Sequence, residues 1–298
     1  MEFSADMTGK VCLVTGSNSG IGKATTKGLA SMDAKLIMVV RDRQKGEAAR
    51  SEIIEETGNS DIDILVADLS EMDEVRELAK QVRGKYERLD VLINNAGAIF
   101  GERRETSDGY EMTIALNHFA PLLLTYELLP LLSQSSPARV VNVSSGAHSF
   151  GEINLDDPFY DKDYSSMEAY GTAKLMMIMT TKELAEKIEN YGITINSLHP
   201  GFVRTNFGRK NMGLGARFFF KLTSPFQKSP EEGAETPLFL ATSPEVKDVT
   251  GKYFANKEEK KPDDEAQDSG LREKIWNFSN NTLNLDWDEK LNNISVTA

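Results

Sequence analysis

Seven short apolar runs set the tightest limit on what this chain can fold into. They are V-C-L-V-T (11–15), A-K-L-I-M-V-V (34–40), I-D-I-L-V-A-D (62–68), D-V-L-I-N-N (90–95), R-V-V-N-V-S-S (139–145), I-T-I-N-S-L-H (193–199) and the weaker K-Y-F-A (252–255). Near-continuous apolar runs of this length, rich in β-branched residues, read as strands buried on both faces. Helical patterns lie between them, as at 44–57, 71–85 and 230–242. The alternation predicts an α/β fold, a doubly wound and mostly seven-stranded parallel sheet with helices on both faces and right-handed crossovers. The 298 residues carry no internal repeat and no low-complexity linker, so 1–298 reads as a single domain.

Charge narrows the partners. The balance of 34 basic against 46 acidic residues gives a net charge of −12, and such a surface repels phosphate backbones, so no nucleic acid partner is expected. Cys12 is the only cysteine, which excludes an intrachain disulfide and suits a reducing, cytoplasmic location. The opening M-E-F-S-A-D-M-T-G-K has no apolar core of a signal peptide, and no unbroken run of 18 apolar residues predicts a membrane-spanning helix.

Two helical regions are apolar nearly all round: 109–132, with A-L-N-H-F-A-P-L-L-L-T-Y-E-L-L-P-L-L, and 166–188, with L-M-M-I-M. A helix apolar on every face needs a partner beyond its own sheet. Either an internal core covers both helices or they form a subunit interface; the interface is the favoured reading and predicts a homodimer or homotetramer. Residues 205–228, with glycines for hinges and five phenylalanines, read as a lid-like segment. Their interleaved Arg209, Lys210, Arg217 and Lys221 leave a peripheral membrane contact open. Beyond the last strand a C-terminal extension spans 257–298. It starts as a solvated charged loop (257–268), continues as a helix, and shows little pattern after Trp287.

The first strand runs straight into T-G-S-N-S-G-I-G (15–22), and a helix follows. Gly16, Gly20 and Gly22 permit a tight turn, a close backbone approach to a pyrophosphate, and close packing of helix on strand. The free N–H groups of the helix start, with Ser17, Asn18, Ser19 and Ile21 around them, favour a phosphate anion. This is the signature of a Rossmann-type dinucleotide site. After the second strand an acid would take the ribose hydroxyl of NAD and an arginine the 2′-phosphate of NADP. Arg41 stands there, so NADP(H) is preferred. NAD(H) stays open because Asp42 would take its role if the strand ran one residue longer. Asp68, followed by Leu69, ends the third strand, either as an acceptor for the adenine amino group or as a helix cap.

E-A-Y-G-T-A-K (168–174) sets Tyr170 and Lys174 one helical turn apart on a shared face. Alone, that pair is an ordinary core tyrosine beside a snorkelling lysine. It does not stand alone: T-G-S-N-S-G-I-G, D-L (68–69), N-N-A-G (94–97), S-S (144–145), Y-G-T-A-K and H-P-G (199–201) follow in order. Over about residues 8–256 the chain resembles the short-chain dehydrogenase/reductase family in its single-domain branch. R-D-R-Q-K-G-E, N-L-D-D (154–157) and H-P-G-F-V-R-T resemble its retinol-dehydrogenase-like subgroup. Subgroup members that anchor in membranes do so through an N-terminal apolar helix, which the opening residues do not supply.

The resemblance implies an oxidoreductase that moves a hydride between a nicotinamide and a carbonyl or alcohol. It implies Tyr170 as the acid or base, Ser145 as the donor that polarises the carbonyl, and Asn117 as holder of a water in a proton relay. Lys174 would bind the nicotinamide ribose and lower the phenol; bringing a phenol from about 10 to near 7 takes about 4 kcal/mol of differential stabilisation. Asn95, Ala96 and Gly97 would pack against the cofactor, Pro200 and Gly201 would shape the nicotinamide pocket, and Val203 and Thr205 would hold its carboxamide or phosphate. His199 reads as a packed strand-end residue. The phenylalanines of the 205–228 segment, with His148, Phe150 and Phe159 opposite, point to a lipophilic aldehyde, ketone or alcohol. Three histidines and one cysteine, without suitably spaced carboxylates, indicate no metal. Two alternatives remain, a non-catalytic NADP(H)-binding sensor and a sugar-nucleotide epimerase-like enzyme.

Overall fold

The computed structural model describes residues 5–203 and 227–294. The strands are β1 (Val11–Thr15), β2 (Lys35–Val40), β3 (Ile62–Val66), β4 (Val91–Asn94), β5 (Ala138–Val143), β6 (Ile193–His199), β7 (Tyr253–Ala255) and β8 (Glu258–Lys260). They form one sheet in the order β3-β2-β1-β4-β5-β6-β7-β8. The first seven are parallel and β8 runs antiparallel to β7. The expected seven strands are present, and the eighth corrects the reading of 257–268 as a loop. Its K-E-E-K pattern looks solvated because all three residues of this edge strand are exposed.

Helices cover both faces. They are α1 (Gly20–Ala30), α2 (Arg43–Thr57), α3 (Met72–Lys85), α4 (Met112–Ser133), α5 (Ser166–Lys187), α6 (Pro230–Thr242), α7 (Ser269–Leu283) and α8 (Trp287–Asn292). Two apolar cores result. One packs α1, α2 and α6 against the sheet, and the other packs α3, α4, α5, α7 and α8 against the opposite face. The strand order reverses direction between β1 and β4, so a crevice opens at their carboxyl ends, where such sheets take ligands.

The apolar faces assigned to a subunit interface are covered from within the chain. α7 and α8 lie across α4 and α5, with Trp276, Leu283, Trp287 and Leu291 buried. Trp287 stands edge-on to Tyr126 of α4 at 5.0 Å and tilts against Trp276 at 5.3 Å. Its Nε1–H donates to Asn280 Oδ1 at 2.8 Å. Arg272 of α7 pairs with Glu183 of α5 at 2.7 Å. The stretch after Trp287, expected to lack order, therefore begins with a helix whose first residue is an anchor. α4 also corrects the hydropathy reading. Over 22 residues it is long and apolar enough to cross a membrane, with a mean hydropathy of 1.2, yet 83% of that window is buried inside the protein. A strict count of apolar residues passes over it because Asn117, His118 and Glu127 interrupt the run.

The extension thus belongs to the core. Trp287→Ala is expected to lower the unfolding free energy by about 3–5 kcal/mol, with an unchanged denaturant slope. A loss near zero in urea unfolding would show that α8 only rests on the surface.

Candidate active site

Thr15 and Asn95 join the two strands that border the crevice. The Thr15 hydroxyl accepts from the backbone N–H of Asn95 and of Ala96, both at 2.9 Å. Asn95 Nδ2 donates back to the Thr15 carbonyl at 2.8 Å. The Asn95 side chain is therefore a strut that sets the glycine turn against β4. Gly16 and Gly20 take φ of 66° and 55°, where a side chain is strained. A Cβ on Gly22 would strike the Gly16 carbonyl and the Asn95 amide, so the helix start sits against the turn as a pyrophosphate cradle requires. Ser17 is fully buried, its hydroxyl donating to the Val39 carbonyl at 3.3 Å, while Ser19 is the residue before α1.

β2 ends at Val40, so Arg41 is the first residue beyond it. Its side chain is 70% exposed and its Nη1 stands 3.7 Å from Asp68 Oδ2. Asp42 is the N-cap of α2: its carboxylate accepts from the Lys45 N–H at 3.1 Å, and its side-chain contact with Lys45 holds it below the usual carboxylate range. Asp68 is not a helix cap, since Glu71 precedes α3. Its Oδ1 accepts from the Ser70 N–H and hydroxyl at 3.1 and 2.7 Å, and Leu69 beside it is buried.

On the far side of the crevice, α5 presents Tyr170 and Lys174, both buried. Gly171 lets the turn 146–151 lie on this helix: a Cβ there would fall 2.7 Å from the Ala147 carbonyl. Ser145 opens that turn, and its hydroxyl hydrogen-bonds the Tyr170 phenol. Ser144 has another task, donating to the Lys174 carbonyl at 3.0 Å. Lys174 Nζ donates to the Val143 carbonyl at 2.9 Å and lies 5.7 Å from the Tyr170 ring centre. Burial pushes the phenol up to about 12, partly offset by the bond from Ser145. Burial also pulls the lysine down to about 7. Desolvation thus drives both groups toward their neutral forms.

Asn117 sits in a π-helical turn, Ala115–Phe119, within α4. Such turns favour functional positions because they shift side chains out of helical register. Its Nδ2 donates to the carbonyls of Ala98 and Thr113 at 2.8 and 2.9 Å. Its Oδ1 is buried without a hydrogen-bond partner among the described residues. A Cβ on Gly97 would sit 2.6 Å from that oxygen and 3.5 Å from Lys174 Nζ. Gly97 therefore keeps a polar niche open between asparagine and lysine.

His199 Nδ1 accepts from the Gly146 N–H at 2.9 Å, so the strand-end histidine also steadies the turn after Ser145; burial first, then His148 and Lys228, pull it down to about 4. Pro200 and Gly201 lie just beyond it, Gly201 at φ 92°. Val203 pairs with Lys228, the described base of the 205–228 segment. Thr205 and the rest of that segment up to 226 lie outside the described residues. Two expected pocket residues point elsewhere. Phe159 packs 6.2 and 6.0 Å from Phe119 and Phe278 in the core, and His148 is buried under the Ser145 turn. Phe150, in contrast, is 67% exposed. Sequence reasoning missed the links of His118 and His148 to the extension, which join residues distant in the chain. Among the described residues, no three His, Cys, Asp or Glu side chains gather to hold a metal ion. A cavity of about 600 Å³ between α5 and β7–β8 is lined by none of the residues above.

Comparison with known proteins identifies the family. The family model described as short chain dehydrogenase matches residues 10–212. Retinol dehydrogenase 14 of Mus musculus is 41% identical over 92% of this chain and 85% of its own length. Retinol dehydrogenase 12 of Mus musculus is 38% identical over 96% and 90%. Among solved structures, an uncharacterized protein from Mycobacterium Paratuberculosis superimposes with a TM-score of 0.73 at 28% identity, covering 95% of this chain and 96% of its own. The Pseudomonas aeruginosa RhlG/NADP active-site complex gives 0.68 at 26% identity, covering 85% and 97%. The chain belongs to the short-chain dehydrogenase/reductase family, in its retinol-dehydrogenase-like subgroup, and is an NAD(P)-dependent oxidoreductase acting on CH–OH groups.

Proposed function

We propose that this enzyme uses NADP(H) and acts on a lipophilic alcohol, aldehyde or ketone, with Tyr170 as its acid or base. The observation that carries the reading is the buried Tyr170 phenol, hydrogen-bonded to Ser145 and one turn from Lys174, beside the carboxyl ends of β4 and β5. The glycine turn, with φ values and close approaches that exclude side chains, fits a dinucleotide pyrophosphate. When bound, the nicotinamide supplies or takes up the hydride. Gly16 to Gly22 cradle the phosphates, Asp68 and Leu69 flank the adenine, and Ala96 and Gly97 flank the ribose, beside the Asn95 strut. Pro200, Gly201 and Val203 would border the nicotinamide side.

Ser145 donates to the substrate oxygen and Tyr170 delivers the proton as a carbonyl is reduced. A phenol held neutral by burial starts this direction in the required form. In the reverse direction Tyr170 accepts the alcohol proton, and the Lys174 ammonium stabilises the phenolate. Lys174 also binds ribose hydroxyls, and the free Oδ1 of Asn117 holds a water that passes protons outward from the lysine. Arg41, loosely paired and exposed, offers a guanidinium for a 2′-phosphate. The RhlG relative is a complex with NADP, which supports that preference. Exposed Phe150, next to the Tyr170 helix, and exposed Phe202 and Met167 favour a lipophilic substrate, a class that includes the retinol named for the relatives. An assembly into dimers or tetramers would use a surface other than the α4–α5 face that the extension covers.

Tyr170→Phe is expected to bind NADPH normally by fluorescence and to lose about 10²–10⁴-fold in kcat with lipophilic aldehydes; retained turnover removes Tyr170 from the chemistry. Arg41→Ala is expected to weaken NADPH about 10–100-fold, the worth of one charge-assisted hydrogen bond, and to leave NADH almost unaffected. Equal losses in titrations with the two cofactors would mean that Arg41 does not read the phosphate.

A further inference from the structure

We propose that the C-terminal extension positions the active site through two buried histidines: His148 holds the turn that carries Ser145, and His118 holds the helical turn that carries Asn117. The inference rests on the catalytic assignment of Ser145 and Asn117 made above.

His148 is 7% exposed and lies between the two parts it joins. Its Nδ1 is 2.7 Å from the Ser145 carbonyl, and its Nε2 accepts from the backbone N–H of Asp263 at 3.2 Å. A backbone amide only donates, so Nε2 carries no proton. The proton is then on Nδ1, which donates to the Ser145 carbonyl. The ring spans 115 residues of sequence between the extension and the serine turn. It also stands edge-on to Tyr253 of β7 at 5.2 Å.

His118 is 1% exposed and Ser279 is fully buried. His118 Nε2 and Ser279 Oγ meet at 2.7 Å across 161 residues. The next residues continue the contact, with the Phe119 and Phe278 rings 6.1 Å apart. This seats α7 on the π-helical turn from which Asn117 reaches Ala98. Burial pushes His118 down to about 3, with help from the Lys174 charge, so the ring is neutral at physiological pH. A buried imidazole that lost its partner would be unsatisfied, and the turn around it would relax to find another. A displacement of about 1 Å in a reacting group can cost about 100-fold in rate. Neither histidine touches the glycine turn, so cofactor affinity is separable from these ties.

The test uses the full chain with NADPH and decanal, on variants that keep a wild-type circular dichroism spectrum. Ser279→Ala and His148→Ala are expected to lower kcat roughly tenfold while leaving the NADPH Kd within about twofold. His148→Gln, whose amide oxygen can stand near the lost Nε2 and accept from the Asp263 N–H, is expected to restore most of the His148→Ala loss. Amide exchange at 145–150 should quicken in His148→Ala, a readout that needs no substrate. Wild-type kcat with wild-type exchange in the alanine variants overturns the proposal. So does an equal loss in His148→Gln and His148→Ala, or a parallel loss of NADPH binding, since each marks a general packing role. Ser145→Ala and Asn117→Ala in the same assay test the catalytic assignment by itself: wild-type turnover there would overturn that assignment while exchange still judged the ties.

Discussion

Burying a phenol and an amine side by side is the constraint that organises this molecule. Each group resists losing water, and burial moves Tyr170 to about 12 and Lys174 to about 7. The surroundings reduce that cost with few polar contacts. Val143 gives a carbonyl to the ammonium and Ser145 gives a hydroxyl to the phenol. Glycines 97 and 171 bring backbone and turn close enough to exclude bulk water. An exposed Tyr–Lys pair would titrate near its solution values and offer little selectivity between proton donor and proton acceptor. A charge entering the crevice acts strongly on the buried pair, because the dielectric there is low.

The same burial explains the extension. α4 and α5 form the wall behind the pair, and a wall only one helix deep would leave its outer apolar face in water. Here α7 and α8 close that face with two buried tryptophans and a partly buried Arg272–Glu183 bridge. Either a neighbouring subunit or an added stretch of chain can meet this need, since both bury the same apolar stripe. Covering it from within the chain brings Ser279 and Asp263 within hydrogen-bonding reach of His118 and His148. A covering segment thereby acquires ties to the histidines beside Asn117 and Ser145.

The parallel sheet, the glycine turn and the order of the Tyr–Lys, serine and asparagine motifs were legible in the sequence because each depends on local signals. Strand period, turn chemistry and one-turn spacing operate within a few residues. What was not legible depends on pairs far apart in the chain. The covering of α4 could not be read because an apolar stripe states that a partner is needed and not which one. β8 hid in a charged stretch because an edge strand needs no apolar face. Phe159 looked like pocket lining because an exposed and a buried phenylalanine have the same sequence signal. Asp42 is the instructive middle case. D-R-Q-K is a cap signature as well as a ribose-binding position, and the capping bond to Lys45 N decides for the cap.

That cap bears on cofactor choice. With Asp42 turned into α2, the carboxylate near the end of β2 that would accept a ribose hydroxyl is engaged with its own helix. The acid that remains is Asp68, one strand over, with one oxygen already held by Ser70. Arg41 is left as the exposed group at the strand end, on a protein whose net charge of −12 repels anions elsewhere. A phosphate approaching this surface finds favourable potential at the glycine turn and beside Arg41, and in the proposed function a dinucleotide bearing a 2′-phosphate would span both. On the proposed reading, the choice between the two nicotinamide cofactors would follow from where one aspartate spends its hydrogen bonds.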